Sequence, residues 1–504
     1  MNRLGLAAVT AVVVALGLSL ALGLLGGTPT GAGDNGDGYR LFCGAGLVPA
    51  TPTHAASWQG GVVLDFGRGA PCPDPQPSSA GIILKAIVGG RGAVSLTELG
   101  WLYTLLIFLV TLVTARALLV HGRRRLVFLL PPLIPVLEPD FARMFISTFS
   151  EPAGLFGAYT LLCGVAVIAA TGIEDGFARL SALALVAVGG VIAGLAKVGF
   201  LPLLVLAVLV CAVTGARLGR GRWWSGRIVG PALAVLLVVE TIWPIRASLA
   251  WQDRNYAEVN AINVVYTLSL VEIPGTATAL GLPAAARESV GHAFYPKGPD
   301  ELIGADAVKN DPDGIRNKVW GMLLARPAVL ARAVGIALQS TYGRSLPYLS
   351  DEPWTPASVP PRNFGPVSGD MGGDQSTFRQ WLDEMSPPWW PSLLVLLGTG
   401  AAAVALSRRR WTTRYGIVAG VATTSALGIA VMAVAGDGYY EIAKHVWLAA
   451  YLLDVAALSL CVVVVPVLVR CARDLRERRR RRVAVAAGEP AAQVTTPVNS
   501  PSTG

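Results

Sequence analysis

Apolar residues in this chain come in long, unbroken blocks separated by polar connections. The blocks are Leu4–Leu25, Leu99–Val120, Leu126–Leu137, Ala153–Thr171, Leu180–Ala196, Phe200–Gly215, Ile228–Ile245, Ser392–Leu406, Tyr415–Ala435 and Val446–Val469. Most approach the roughly 20 residues an α-helix needs to cross a hydrocarbon core about 30 Å thick. They predict an all-α polytopic membrane protein with about ten transmembrane helices. Leu126–Leu137 is the irregular one, because Pro131, Pro132 and Pro135 break its backbone ladder and call for help from neighbouring helices. Leu180–Gly215 is too long for one span and divides at Lys197-Val-Gly199. The first block follows Met1-Asn2-Arg3 and exceeds the 7–15 apolar residues of a secretory signal. It reads as a retained first helix, with a cleaved signal as the alternative.

The connections set orientation. Arginine collects in His121–Arg125, Arg217–Arg227, Ser407–Arg414 and the tail from Arg470, with one more in Ile173–Arg179. The alternate connections Glu138–Glu151, Lys197–Gly199 and Gly436–His445 carry one basic side chain each, apart from His445. Short cytoplasmic loops are the arginine-rich ones, so both termini are expected in the cytoplasm of a plasma-membrane protein. The resulting organisation is a first helix (1–26), an outer loop (27–98), a bundle of about six helices (99–245), an outer-face domain (246–391), three further helices (392–470) and a basic tail (471–504). The outer-face domain is expected to be small and mostly helical. Within it, Val319–Ser340 reads as two helices joined at Arg326-Pro327, since a central arginine costs about 2.5 kcal/mol or more in a membrane. Leu349–Gly373 reads as a connecting or substrate-facing loop.

Composition agrees. The 504 residues are 53% hydrophobic and 14% charged, with a mean hydropathy of +0.54. The net charge of +9 comes from arginines at the ends of apolar blocks, a topology signal that implies membrane lipid and no nucleic acid as partner. Cys43 and Cys72 both fall in the first outer loop, where an oxidising compartment favours a disulfide; two free thiols are the alternative. The other four cysteines read as small apolar residues.

Candidate chemistry crowds at the outer surface, and each cluster has a bland reading beside a functional one. Asp34-Asn-Gly-Asp37-Gly-Tyr-Arg40 is either a turn or a carboxylate at the mouth of the bundle that takes a proton. Between Glu138-Pro-Asp140 and Ser150-Glu151-Pro152, Phe141, Met144, Phe145 and Phe149 recur at helical spacing. Asp140, Arg143 and Ser147 fall opposite them, which predicts a short interfacial helix. Lys197 either snorkels to water or meets a lipid-linked phosphate. In Gly436–His445, Glu441 lies one helical turn from Lys444 and His445, so the three are expected to share a face, with Asp437 just before them.

These pieces resemble the GT-C superfamily, membrane glycosyltransferases that use polyprenyl-phosphate-linked sugars, and within it the bacterial hexose transferases of cell-surface glycans. The resemblance rests on Asn35-Gly-Asp-Gly-Tyr-Arg40 with Gly46-Leu47, Phe149-Ser-Glu-Pro-Ala153, Ala196-Lys197, Asn263-Val-Val-Tyr-Thr267 with Leu280-Gly-Leu-Pro283, and Gly436-Asp-Gly438 with Ala443-Lys-His445. It implies Asp37 as catalytic base and Glu151 as a second acid, with Asp34, Arg40, Asp140, Arg143, Lys197, Asp437, Glu441, Lys444 and His445 binding substrate. It further implies a polyprenyl-phosphate sugar donor, a glycan or glycolipid acceptor, and room for a divalent cation. Asn35 and Gly36 separate two acids that are adjacent in many relatives, which leaves open whether Asp34 or Asp37 is the base. A transporter or flippase for lipid-linked glycan, and a non-enzymatic envelope assembly protein, are the alternatives.

Overall fold

The computed structural model describes residues 2–27, 29, 38–50, 64–217, 225–294, 299–342, 381, 385–407 and 414–486. The chain is an all-α polytopic membrane protein. Eight helices are long and apolar enough to cross a membrane. Their cores are α1 (Arg3–Ala21), α3 (Leu96–Leu118), α4 (Glu151–Ala170), α5 (Gly176–Gly194), α7 (Ser225–Asn263), α10 (Trp390–Ser407), α11 (Gly416–Asp437) and α12 (Trp447–Ala486). Each answers to one of the ten apolar blocks. The other two blocks form shorter elements. Phe200–Gly215 holds the 13-residue helix α6 (Leu201–Val213). Leu126–Leu137 is 3-10 helix over Arg123–Leu129, then seven residues of α-helix over Leu130–Val136. In the second half, α8 (Pro312–Leu324) and α9 (Pro327–Gln339) meet at 103° at the Arg326-Pro327 joint, with Pro327 opening α9. There its missing N–H leaves no bond unmade.

The proline-broken segment shows how the bundle repairs its own backbone. In an α-helix the carbonyl of Phe128 would accept from residue 132, which is a proline without an N–H. Tyr415 donates its hydroxyl to that carbonyl instead, at 2.6 Å, with the two rings stacked 4.4 Å apart. Tyr451 likewise donates to the Pro132 carbonyl at 2.9 Å. Helices α4 and α5 pack more closely than side chains allow. A Cβ on Gly157 would lie 2.4 Å from the Ala193 nitrogen, and one on Gly189 2.4 Å from the Leu161 nitrogen. This is the small-residue contact by which membrane helices approach one another.

Two ends of the bundle differ in chemistry. At one, His121 meets Asp175 (2.7 Å), Arg217 meets Glu174 (2.7 Å), and Arg179 donates to the Thr171 and Gly172 carbonyls that end α4. At the other, the first loop folds into a small antiparallel sheet of β1 (Leu47–Pro49), β2 (Asp65–Arg68) and β3 (Ala93–Ser95), in the order β1-β2-β3. Cys43 and Cys72 are joined beside it with their Cα atoms 5.4 Å apart. Helix α2 (Ser79–Val88) leads from the sheet onto the end of α5. There the Ser78 and Ser79 hydroxyls donate to the Ala196 and Ile192 carbonyls, satisfying acceptors that a helix C-terminus leaves open.

One expectation for this end needs correction. Glu138–Phe149 is not an amphipathic helix at an interface. Only Pro139–Ala142 is α-helical, followed by one 3-10 turn over Arg143–Phe145. Asp140 and Arg143 are buried along with the phenylalanines, because they pair with each other at 2.6 Å. A paired charge can sit inside where a lone one cannot.

Candidate substrate cavity

Three interruptions of regular helix build the cavity at this second end. Helix α7 runs on past its apolar stretch, so the continuous helical stretch Gly226–Glu272 is 47 residues long. At 1.5 Å per residue that is about 70 Å, more than twice a hydrocarbon core, so much of it stands clear of the apolar layer. Just past Asn263 it widens into a π-helical turn over Val264–Ser269, a rare form found mostly at functional sites. The turn is fastened on both sides. Thr267 Oγ1 accepts from the Tyr439 N–H (2.9 Å) and donates to the Asn263 carbonyl (2.7 Å). The Asn263 side chain accepts from the Phe294 N–H (2.9 Å) and donates to Asp437 Oδ1 (3.2 Å). Nearby, the Tyr439 hydroxyl donates to Glu272 at 2.9 Å. Burial and the Glu272 charge push that phenol well above its ordinary pKa, so it stays a donor.

The second interruption follows α11. Gly438 has φ +62, and a Cβ there would lie 2.6 Å from Thr267 Oγ1, so conformation and space both require glycine. Glu441 then adopts φ 45, the one positive φ outside glycine among the described residues. Such backbone strain costs of order 1–3 kcal/mol and clusters at functional sites. This corrects the expected shared face for His445, while Glu441 and Lys444 do meet. Glu441 precedes the short helix Ile442–His445 and takes Lys444 Nζ at 3.0 Å, while His445 Nε2 turns back to Asp437 Oδ2 at 3.2 Å.

The third is the break between α5 and α6, around Lys197 and the 3-10 turn Val198–Phe200. Glu151 opens α4, where a carboxylate suits the positive end of the helix dipole. Lys197 follows α5, and its Nζ sits 2.9 Å from Glu151 Oε1. From the first loop, Arg40 lays its guanidinium 4.3 Å over the Tyr256 ring, a cation–π contact. Asp74 latches that loop to α7: its carbonyl accepts from Trp251 Nε1 and its carboxylate from Arg254 and Asn255.

These parts enclose a cavity of about 430 Å³. Val198, Phe200, Leu249 and Met432 form an apolar wall. Arg40, Lys197 and Lys444 form a cationic one around Asp437, on which all three charges act, with the His445 imidazole beside them. Gln252, Asn260 and Trp320 supply uncharged polar groups beside the paired Asp253 and Arg316. The arrangement can hold an amphiphilic anion, with its charge against the cations and its tail against the apolar wall.

Of the residues singled out in the sequence, Arg40, Lys197, Asp437, Glu441, Lys444 and His445 line this cavity. Glu151 reaches it through Lys197. Asp140 and Arg143 pair with each other and are not among its lining residues. Asp34 and Asp37 lie outside the described residues. Sequence reasoning missed Tyr256, Asn260, Arg316 and Trp320. The signal was present for two of them, since Leu249, Gln252, Tyr256, Asn260 and Asn263 recur every three or four positions and so share one face of α7. No three His, Cys, Asp or Glu side chains converge as metal ligands among the described residues. Asp437 and Glu441 already engage His445 and Lys444, so these residues do not fit a divalent cation.

A bundle of apolar helices with a cavity at one end lined by apolar, polar and charged side chains defines a multi-pass membrane protein. The family model described as the YfdI N-terminal transmembrane domain matches residues 1–280. That is more than half of the chain, which belongs to this family. The match takes in Arg40, Lys197 and the lining face of α7, whereas Asp437, Lys444 and His445 come from the part beyond it. No curated protein and no solved structure matches the chain.

Proposed function

We propose that the protein is a GT-C-type glycosyltransferase that moves a hexose from a polyprenyl-phosphate donor to a cell-surface glycan or glycolipid. The observation that carries this reading is the cavity, where a cationic wall and an apolar wall face one space at the end of the apolar spans. A lipid phosphate presents that same pair of surfaces. The family match supports a membrane protein of glycosyltransferase-like type. In this reading Lys197 and Lys444 hold the donor phosphate, each aimed by its own carboxylate, Glu151 or Glu441. Fixed cations stabilise charge as it develops on the departing phosphate oxygen. The acceptor hydroxyl attacks the anomeric carbon and gives its proton to a carboxylate, the part the resemblance assigns to Asp37. With the cavity at the outer face, the arginine-rich end and both termini lie in the cytoplasm.

The test uses protein reconstituted in vesicles with a polyprenyl-phosphate hexose labelled in the sugar, and membranes supplying acceptor. Release of polyprenyl phosphate with label appearing on glycan is expected. Label that crosses the bilayer still joined to its lipid would overturn the reading in favour of a flippase.

A further inference from the structure

The uncharged polar groups of the cavity include one that nothing in the protein uses. Asn260 is 6% exposed, yet its side chain has no hydrogen-bond partner among the described residues. It lies on the α7 face that lines the cavity, one turn beyond Tyr256 and one turn before Asn263. Its carboxamide carries two donors and an acceptor, and these open onto the cavity instead of being enclosed by protein. No protein group takes up these donors and acceptor, so they are left for whatever enters the cavity. Two neighbours repeat the pattern: Gln252 and Trp320 also line the cavity without a hydrogen-bond partner among the described residues.

Position then separates two kinds of ligand chemistry. The cations gather around Asp437, which Asn263 touches. Gln252 stands eleven residues before Asn263 on the same helix, about 16 Å away at 1.5 Å per residue. A phosphate at the cationic end therefore leaves the rest of the stripe for what the phosphate carries. Carboxamides both give and accept hydrogen bonds, as vicinal hydroxyls require, and the Trp320 indole offers a flat apolar face for a pyranose ring.

We infer that Asn260 is a specificity-determining residue that reads the hydroxyls of an uncharged sugar on the lipid-linked donor, with Gln252 and Trp320 completing the subsite. This rests on the proposed donor reading. Arg316 at this end is held by Asp253 and Asp313, and Arg40 is engaged over the Tyr256 ring, so neither is a spare cation that would select an acidic sugar.

The experiment compares binding of a short-chain polyprenyl phosphate and of its hexose-bearing form to full-length protein in nanodiscs. Wild type should bind the hexose form more tightly. Asn260→Leu should lose about tenfold of that advantage, bind the bare phosphate as wild type does, and unfold no more easily. A uronic-acid-bearing donor should gain nothing over bare phosphate on wild type. Asn260→Ala, with the same expected loss, serves if the leucine variant no longer binds phosphate. Full retention of the hexose advantage in the variants, or equal binding of the uronic form, would overturn the inference while leaving the donor reading intact. Failure of wild type to bind polyprenyl phosphate at all would instead overturn the donor reading.

Discussion

Replacing Lys197 should cost more than replacing the glutamate that holds it, and the structure gives the sizes. Glu151 Oε1 and Lys197 Nζ are 2.9 Å apart, with side chains 5% and 22% exposed. At an effective dielectric of about 20, two unit charges at that distance attract by roughly 6 kcal/mol, before desolvation is subtracted. Removing one partner of a buried pair typically costs about 3–5 kcal/mol, because the other charge stays buried. Lys197→Met strands a carboxylate that cannot move far, being the first residue of α4 and bonded to Ser150 Oγ at 3.0 Å. Its expected cost is about 3 kcal/mol. Glu151→Gln keeps an acceptor oxygen for Ser150 and for the ammonium, which can also swing toward the cavity, so about 1–2 kcal/mol is expected. The double variant should recover about 1–3 kcal/mol relative to the sum of the singles. Unfolding of purified protein by added denaturing detergent measures all three. In transfer activity the order is the same and the gap wider, because Lys197→Met removes the phosphate ligand itself while Glu151→Gln only misaims it. Equal single costs with strict additivity would refute the pairing, and undiminished transfer by Lys197→Met would refute its role.

Three other outcomes follow from the same geometry. Tyr415→Phe keeps the ring stacked on Phe128 but leaves the Phe128 carbonyl without its donor, so it should destabilise by about 1–3 kcal/mol, read by the same detergent titration. Cys43 and Cys72 should take up a thiol-reactive maleimide only after reduction, and prompt labelling of both in untreated protein would show free thiols. Asp37→Asn should abolish surface glycan transfer in a complemented deletion strain at normal protein level, a loss of about 10²–10⁴-fold if it is the base. Asp34→Asn should be milder, and the opposite ranking would exchange their roles.

What was legible in the sequence was whatever rests on one-dimensional pattern. Block length marked all eight long helices, and Arg326-Pro327 marked the sharp joint between α8 and α9, since an arginine in mid-stretch and a first-turn proline are local facts. The cationic wall was legible as well, because Lys197 and Lys444 each interrupt or abut apolar sequence, where a charge stands out. The pairing was legible only in part: spacing put Glu441 with Lys444, as the structure has it, but also with His445, which meets Asp437 instead. Spacing assumes regular helix, and the left-handed residue at 441 breaks that assumption. The same failure misplaced Asp140 and Arg143, which looked like the wet side of an amphipathic helix until their mutual contact buried them.

The polar stripe on α7 shows the deeper limit. Gln252, Tyr256, Asn260 and Asn263 stand at helical spacing, yet nothing in their spacing says whether that face meets water, protein or ligand. The answer depends on α11, on the loop beyond Gly438 and on α8, all far away in sequence and brought together only by the fold. Asn263 is held from two sides, by the Phe294 N–H and by Asp437, and reads as structure. Asn260, one turn away and also buried, is held from none among the described residues. Two asparagines three positions apart are equivalent in sequence, and only the presence or absence of partners divides the one that shapes the cavity from the one left to face what enters it.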